Sequence, residues 1–476
     1  MEVNRAEKYN VKICRKEIIA AAAAEAEAKS LKERFLSLSN IDLLIPHIDV
    51  GVFFCYRKPP PLLSPVNNFS SMVAKLKTSL AKALVVFYPF AGEVVANAAG
   101  EPELLCNNRG VEFIEAYADV RLDQLDFYDA DGTVERKLVP KKEAEGGVLT
   151  LQATEMKCGG MILGCSFDHR ISDAYAFNMF VITWAEMATD AKELSISPIF
   201  DRSLLSFRQE NDVGSLEQAL KLDEIYVPVS SYSPPPPPSP LIIENSDPPT
   251  ISRIYYIAAK EINRLQSIAS SDGLCRRTKL ESFTAYLWKL IARVGKSGQV
   301  CRMGVVVDGR RRLGSSEMNA YFGNVISVSY SSLAVEEVEG MGIEELADVV
   351  HQFVAEVDRE EHFRGLVDWV EEHRPEVCVS KIYIEEGLSV VVSSGRRFPI
   401  AEVDFGWGKT MLGSYHFPWE GKGGYVMPMP MSGDKGKDGD WLVYVHLLAE
   451  IVEVLETVGA GVFQPITSDY LFSSQK

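Results

Sequence analysis

Hydrophobic and polar positions along this chain follow two periods, and the switches between them mark out the elements. Asn10–Ile19 alternates as a first strand, and Val50–Tyr56 is a β-branched and aromatic run that Pro59-Pro60-Pro61 ends. Phe69–Phe87 follows the helical period, with Val73, Leu76, Leu80, Leu84 and Phe87 on one face and Ser70 or Ser71 as cap. From Glu93 to Gln152 short strands alternate with polar turns, one of them Asp129–Gly132. Met161–Phe167 is an unbroken apolar run of buried-strand length that ends at Asp168-His169. A helical pattern then begins, with Phe177, Phe180, Val181, Trp184 and Ala188 on a buried face. His169 is thus expected at a strand-to-helix junction, with Asp173 one helical turn on.

Ser195–Thr250 breaks the pattern. It contains Pro234–Pro238, which reads as an extended polyproline segment because proline joins neither a sheet nor a helix interior. Beyond it the spacing predicts strands at Ser252–Ala258, Met303–Val307, Val325–Tyr330, Val390–Ser394 and Trp441–Leu447. Helices are predicted at Glu261–Ala269, Lys279–Val294, Ile343–Val357 and Ala449–Val458. Neither half alternates strictly between strand and helix. The expected class is α/β with mixed sheets, in two similar-sized domains, 1–194 and 251–476, joined by a proline-rich crossover linker at 195–250.

Composition narrows this further. A chain of 476 residues, 46% hydrophobic and 24% charged, is globular and too long for one ordinary core. Its net charge of −17 argues against nucleic acid or an anionic membrane as partner. An anionic ligand would need a local basic cluster. The eight cysteines are scattered without a C-x-x-C pair; Cys55 and Cys165 read as buried hydrophobes, and neither a disulfide framework nor a metal site is expected. No apolar run approaches a membrane span, and the alanine-rich Ile18–Ala28 is interrupted by Glu25 and Glu27. A cytoplasmic protein is expected.

For chemistry the sequence offers little of the usual kind. A G-x-S-x-G elbow, a Walker loop, a dinucleotide fingerprint and H-E-x-x-H are all absent. His362 and His373 sit among Glu360, Glu361, Glu371 and Glu372, as on a solvated helix face. Val403–Lys409 (VDFGWGK) reads as a turn in which glycines supply positive φ and aromatics pack beneath. His-x-x-x-Asp, with seven histidines in the chain, is by itself more often a core histidine than a catalytic one.

The motifs in combination carry more. His169-Arg170-Ile171-Ser172-Asp173 followed by Asp404-Phe405-Gly406-Trp407-Gly408 resembles the signature of the plant BAHD acyltransferases, in order and in separation. Ser39–Asp42, Leu84–Gly92 and Tyr321–Asn324 resemble further segments of that family, so the similarity runs over essentially the whole chain. Ser414–Trp419 with Tyr425–Pro430 is most similar to the coniferyl alcohol acyltransferase and hydroxycinnamoyltransferase-like branch. The resemblance implies a chloramphenicol acetyltransferase-like fold. It implies an acyl-CoA co-substrate, no bound cofactor, a phenylpropanoid-type alcohol or an amine as acceptor, and a monomer.

It further implies His169 as general base facing a channel between the domains, and Asp173 pointing away to pair with Arg310. Asp404 would be structural. Trp407 and Ser39 are candidates for oxyanion or pocket contacts. Arg276, Arg277 and Lys279, a compact basic cluster just before a helix in the second half, would hold the CoA phosphates or form a plain solvated surface cluster. Phe53, Phe54 and Tyr56 would line an acceptor pocket or simply fill the core. The chemistry is self-consistent. A histidine with a pKa near about 6.5 suits the first proton transfer, and a thiolate leaving group of pKa about 8.5 needs little help. An O-acyl transfer by direct attack is the leading reading. An N-acyltransferase, or a family member that binds or cleaves a small molecule, remains the alternative.

Overall fold

The computed structural model describes residues 9–22, 33–59, 68–143, 147–208, 216–231, 250–271, 275–419, 421, 423–431 and 439–472. Its centre is two mixed sheets. The first has six strands in the spatial order Val11–Ile19, Val111–Ala118, Leu149–Met156, Met161–Asp168, Asp49–Tyr56, Leu412–His416. Only the Val111–Ala118/Leu149–Met156 pair in it is parallel. The second has seven, in the order Ile326–Ala334, Val300–Asp308, Leu388–Val392, Gly424–Pro430, Trp441–Leu448, Thr250–Ile257, Gln464–Pro465.

Strand periodicity explains how the sheets are covered. The first sheet buries one face against the helices Phe69–Val86 and Ala174–Ala188, where Phe167 stacks on Phe177 at 4.2 Å between ring centroids. In the second sheet Tyr255, Ile257, Val443 and Val445 point to a core shared with the helices Lys279–Ala292 and Ile343–Val357. Their neighbours Ile254, Leu442 and Tyr444 point the other way, into the core of the first sheet. Two sheets that share one apolar layer hold the halves in a fixed relation, and the candidate site lies along that seam.

The elements depart from the sequence-based expectations in instructive ways. The strand Leu412–His416 comes late in the chain yet completes the first sheet, pairing with Asp49–Tyr56. The helix Phe69–Val86 is capped by Asn68, whose side chain accepts the Ser71 N–H at 2.9 Å, and not by Ser70 or Ser71. Asp129–Gly132 is no plain turn, because Asp129 caps a short helix, Ala130–Thr133. The proline run lies outside the described residues, as does most of the alanine-rich segment. What is described between 195 and 250 is not a bare linker: it includes a helix, Leu216–Ile225, and a strand, Tyr226–Pro228, paired with Cys378–Ser380. His362 is not solvated. It is 3% exposed and its Nε2 meets Ser327 Oγ at 2.8 Å, while His373 stacks on Trp369. Phe53, Phe54 and Tyr56 are core residues. Among the described residues no helix is long and apolar enough to cross a membrane.

Candidate active site

The strand Met161–Asp168 is buried throughout, and its last backbone groups fix the start of the motif. The His169 N–H donates to Ile48 O at 3.0 Å. The chain then turns, with Ile171 N–H on Asp168 O and Ser172 N–H on His169 O. The helix begins only at Ala174, so the three residues between His169 and Asp173 form a tight turn and not a helical one. Asp173 is the cap: its Oδ1 accepts the Ala176 N–H at 2.9 Å, leaving its carboxylate buried at the base of the junction.

There it meets Arg310. Nη1 donates to Asp173 Oδ2 at 2.7 Å and Nη2 to Oδ1 at 3.1 Å, a two-point pair between groups that are both buried. Arg310 Nη2 also donates to Gly323 O at 2.8 Å, Nη1 lies 3.3 Å from Asp308 Oδ1, and the guanidinium covers the Tyr175 ring. Burial works against its charge, but Asp173 and Asp308 outweigh burial and hold its pKa above the ordinary arginine value. The Val325 N–H, at 3.2 Å, is a further donor to Asp173 Oδ2. The carboxylate is thereby committed, and it makes no hydrogen bond to the His169 ring. That ring is partly exposed, its Nδ1 is buried without a partner among the described residues, and the edge of Phe417 lies against it at 6.4 Å between centroids.

Asp168, one residue before His169, is held by Arg170 through contacts of 3.0 and 2.6 Å. Burial would raise its pKa, yet Arg170 outweighs this and keeps it below the usual carboxylate range. Asp168, Asp49 and His47 bring three potential metal-ligand atoms within 4.8 Å of one another. Arg170 and Lys142 already supply the positive charge there, Lys142 Nζ lying 3.3 Å from Asp49.

The other sequence candidates lie elsewhere. Asp404 Oδ1 accepts the N–H groups of Gly406 and Gly408, at 2.7 and 3.0 Å, closing a loop whose two glycines sit at φ of 99° and 112°. Trp407 packs edge-on against Tyr56 and stacks on Phe405, which meets Trp184. Tyr56 pairs with Met161, the first residue of the strand whose last residue precedes His169. Trp407 is therefore about a strand length, on the order of 20 Å, from the imidazole and is not a candidate for oxyanion contact. Ser39 is likewise committed, its Oγ donating to Asp42 at 2.8 Å. Of the basic cluster, Arg277 pairs with Asp348 at 2.5 Å, leaving Arg276 and Lys279 beside the Thr278-capped start of the helix Lys279–Ala292. Two groups to which sequence reasoning assigned no role touch the site: Phe417 and Asn324, whose amide reaches the His169 carbonyl. The Tyr-Phe-Gly-Asn motif was the available signal for the second.

Comparison with known proteins agrees with this architecture. The Transferase family model matches residues 9–459. The chain is 30% identical to shikimate O-hydroxycinnamoyltransferase of Nicotiana tabacum over 435 residues, 88% of this chain and 93% of that protein. It is 26% identical to a hydroxycinnamoyl-CoA:5-hydroxyanthranilate N-hydroxycinnamoyltransferase of Avena sativa, over 87% of this chain and 92% of that one. The crystal structure of vinorine synthase superposes with a TM-score of 0.69 at 19% identity, covering 96% of this chain and 99% of the other. With two mixed sheets sharing one core, the His-x-x-x-Asp junction at their seam and a family match across most of its length, the chain belongs to the BAHD acyltransferases and has their chloramphenicol acetyltransferase-like fold.

Proposed function

We propose that this acyltransferase moves an acyl group from a CoA thioester to the hydroxyl of a phenylpropanoid-type alcohol, with His169 as general base. An imidazole nitrogen of His169 takes the acceptor's hydroxyl proton as the oxygen attacks the thioester carbon. The tetrahedral intermediate collapses with cleavage of the C–S bond, and the proton on His169 passes to the departing thiolate, so that ester and free CoA thiol leave and the enzyme is unchanged. No enzyme nucleophile takes part.

The observation that carries this reading is the division of labour in the motif. Asp173 is spent on Arg310 and the backbone, so among the described residues no carboxylate pairs with the imidazole. An imidazole that no carboxylate engages can take the acceptor's proton directly. Arg276 and Lys279 are the proposed contacts for the CoA phosphates. The amine-acceptor reading stands second, favoured by the N-acyltransferase from Avena sativa among the relatives. Release of free CoA thiol from a panel of hydroxycinnamoyl- and short acyl-CoAs, each with alcohol and with amine acceptors, tests both. Turnover with alcohols supports the first reading, and turnover with amines alone replaces it by the second.

A further inference from the structure

Asn324 is fully buried just before the strand Ile326–Ala334, and its side chain makes contacts that packing alone does not require. Its Nδ2 donates to Asp42 Oδ1 at 2.8 Å and to His169 O at 2.9 Å, and Arg170 O lies 3.3 Å away. An amide nitrogen carries two hydrogens, so one serves Asp42 and the other is shared by the two carbonyls. The orientation is forced, because the flipped amide would set its oxygen against three others. Asp42, also fully buried, accepts Asn324 N–H at 2.7 Å on the same oxygen, and on the other it accepts Ser39 N–H and Oγ at 2.9 and 2.8 Å. A carboxylate with every direction filled is a rigid anchor.

We infer that Asn324, anchored by Asp42, is the positioning residue of His169. This rests on His169 being the general base. The His169 N–H is tied to Ile48 O on one side and its carbonyl to Asn324 on the other, so the peptide planes flanking the imidazole are both pinned. The same short segment holds the motif's far end, since the Val325 N–H and the Gly323 carbonyl engage Asp173 and Arg310. Residues 323–325 thus brace both ends of the five-residue turn. The chemistry selects asparagine. Aspartate would face three oxygens with a charge, and an aliphatic side chain would take one donor from Asp42 and one from each of the two carbonyls.

The test uses the full chain, with CoA-thiol release for kcat and KM and histidine-selective ring NMR, in which the His169 signal is the one missing from His169→Ala. Asn324→Ala is expected to lower kcat by tenfold or more with KM for acyl-CoA within about twofold, because a misplacement of about 1 Å can cost 10²-fold in rate. The His169 resonance should move while those of the other histidines stay. Asp42→Asn, which turns one of the anchoring oxygens into a donor facing donors, should give a smaller effect in the same direction. A folded Asn324→Ala with wild-type kcat, or with an unmoved His169 signal, overturns the inference. So does failure of both variants to fold, which would make the network a support of the fold alone. His169→Ala with near-normal turnover would instead remove the base itself, and with it the proposed function.

Discussion

Arg310 and Asp173 are 137 positions apart in the chain and meet in a buried two-point ion pair. Arg310 follows the strand Val300–Asp308 of the second sheet, and Asp173 caps a helix packed on the first. One interaction therefore orders the turn after His169 and ties the two halves together beside it.

Its consequence is an asymmetry between the two residues of the motif. Asp173→Ala leaves the Arg310 guanidinium buried with only Asp308 to answer it, and should cost roughly 3–5 kcal/mol in chemical denaturation along with activity. His169→Ala should leave stability nearly unchanged and lower kcat by ~10²–10⁴. Equal stability losses in the two variants would contradict the assignment.

Direct attack predicts an unmodified enzyme. Incubated with acyl-CoA and no acceptor, the protein should show only its own intact mass. A stoichiometric acyl adduct on a serine or cysteine would require a covalent route.

Stability should fall on mild acidification for a reason unconnected with catalysis. Burial, helped by Arg359, pushes the pKa of His362 down to about 4 from the ordinary 6.5. Between those values the unfolded chain binds a proton that the folded chain refuses, so stability is lost as pH falls from about 6.5 to about 4. The loss from this group is about 3 kcal/mol in full. Denaturation of wild type and His362→Gln at pH 7 and pH 5 should show a smaller drop in the variant.

Donor affinity should depend on Arg276, which is exposed, and Lys279, which is half-buried. Arg276→Glu and Lys279→Glu should each raise KM for acyl-CoA about tenfold, more at low salt, with KM for the acceptor unchanged. Arg277 is left out of this test because its partner is Asp348. Unaltered KM values at low salt would move the phosphate site elsewhere.

Much of this was legible in the chain itself, because periodicity is a local property. Apolar positions at a spacing of two or of three and four located the strand before His169 and the helix after it, and most elements beyond. The motif pair located the histidine. Burial of Cys55 and Cys165 followed from their apolar neighbours.

Other features were decided only by chain segments meeting in space. Nothing near Leu412–His416 states that it pairs with Asp49–Tyr56, since strand pairing is a matter of which edge is open once the rest has folded. His362 lies in a charged stretch and is buried because its one inward direction points at Ser327. Trp407, flanked by glycines as a binding loop would be, is spent on packing against Tyr56 and Phe405. Asn324 gains its meaning from Asp42, 282 positions away, and from a carbonyl at His169. Sequence spacing determines which face of an element a side chain is on. What lies opposite that face depends on contacts between distant segments, and there the tertiary structure alone sets the partner, the charge and the role.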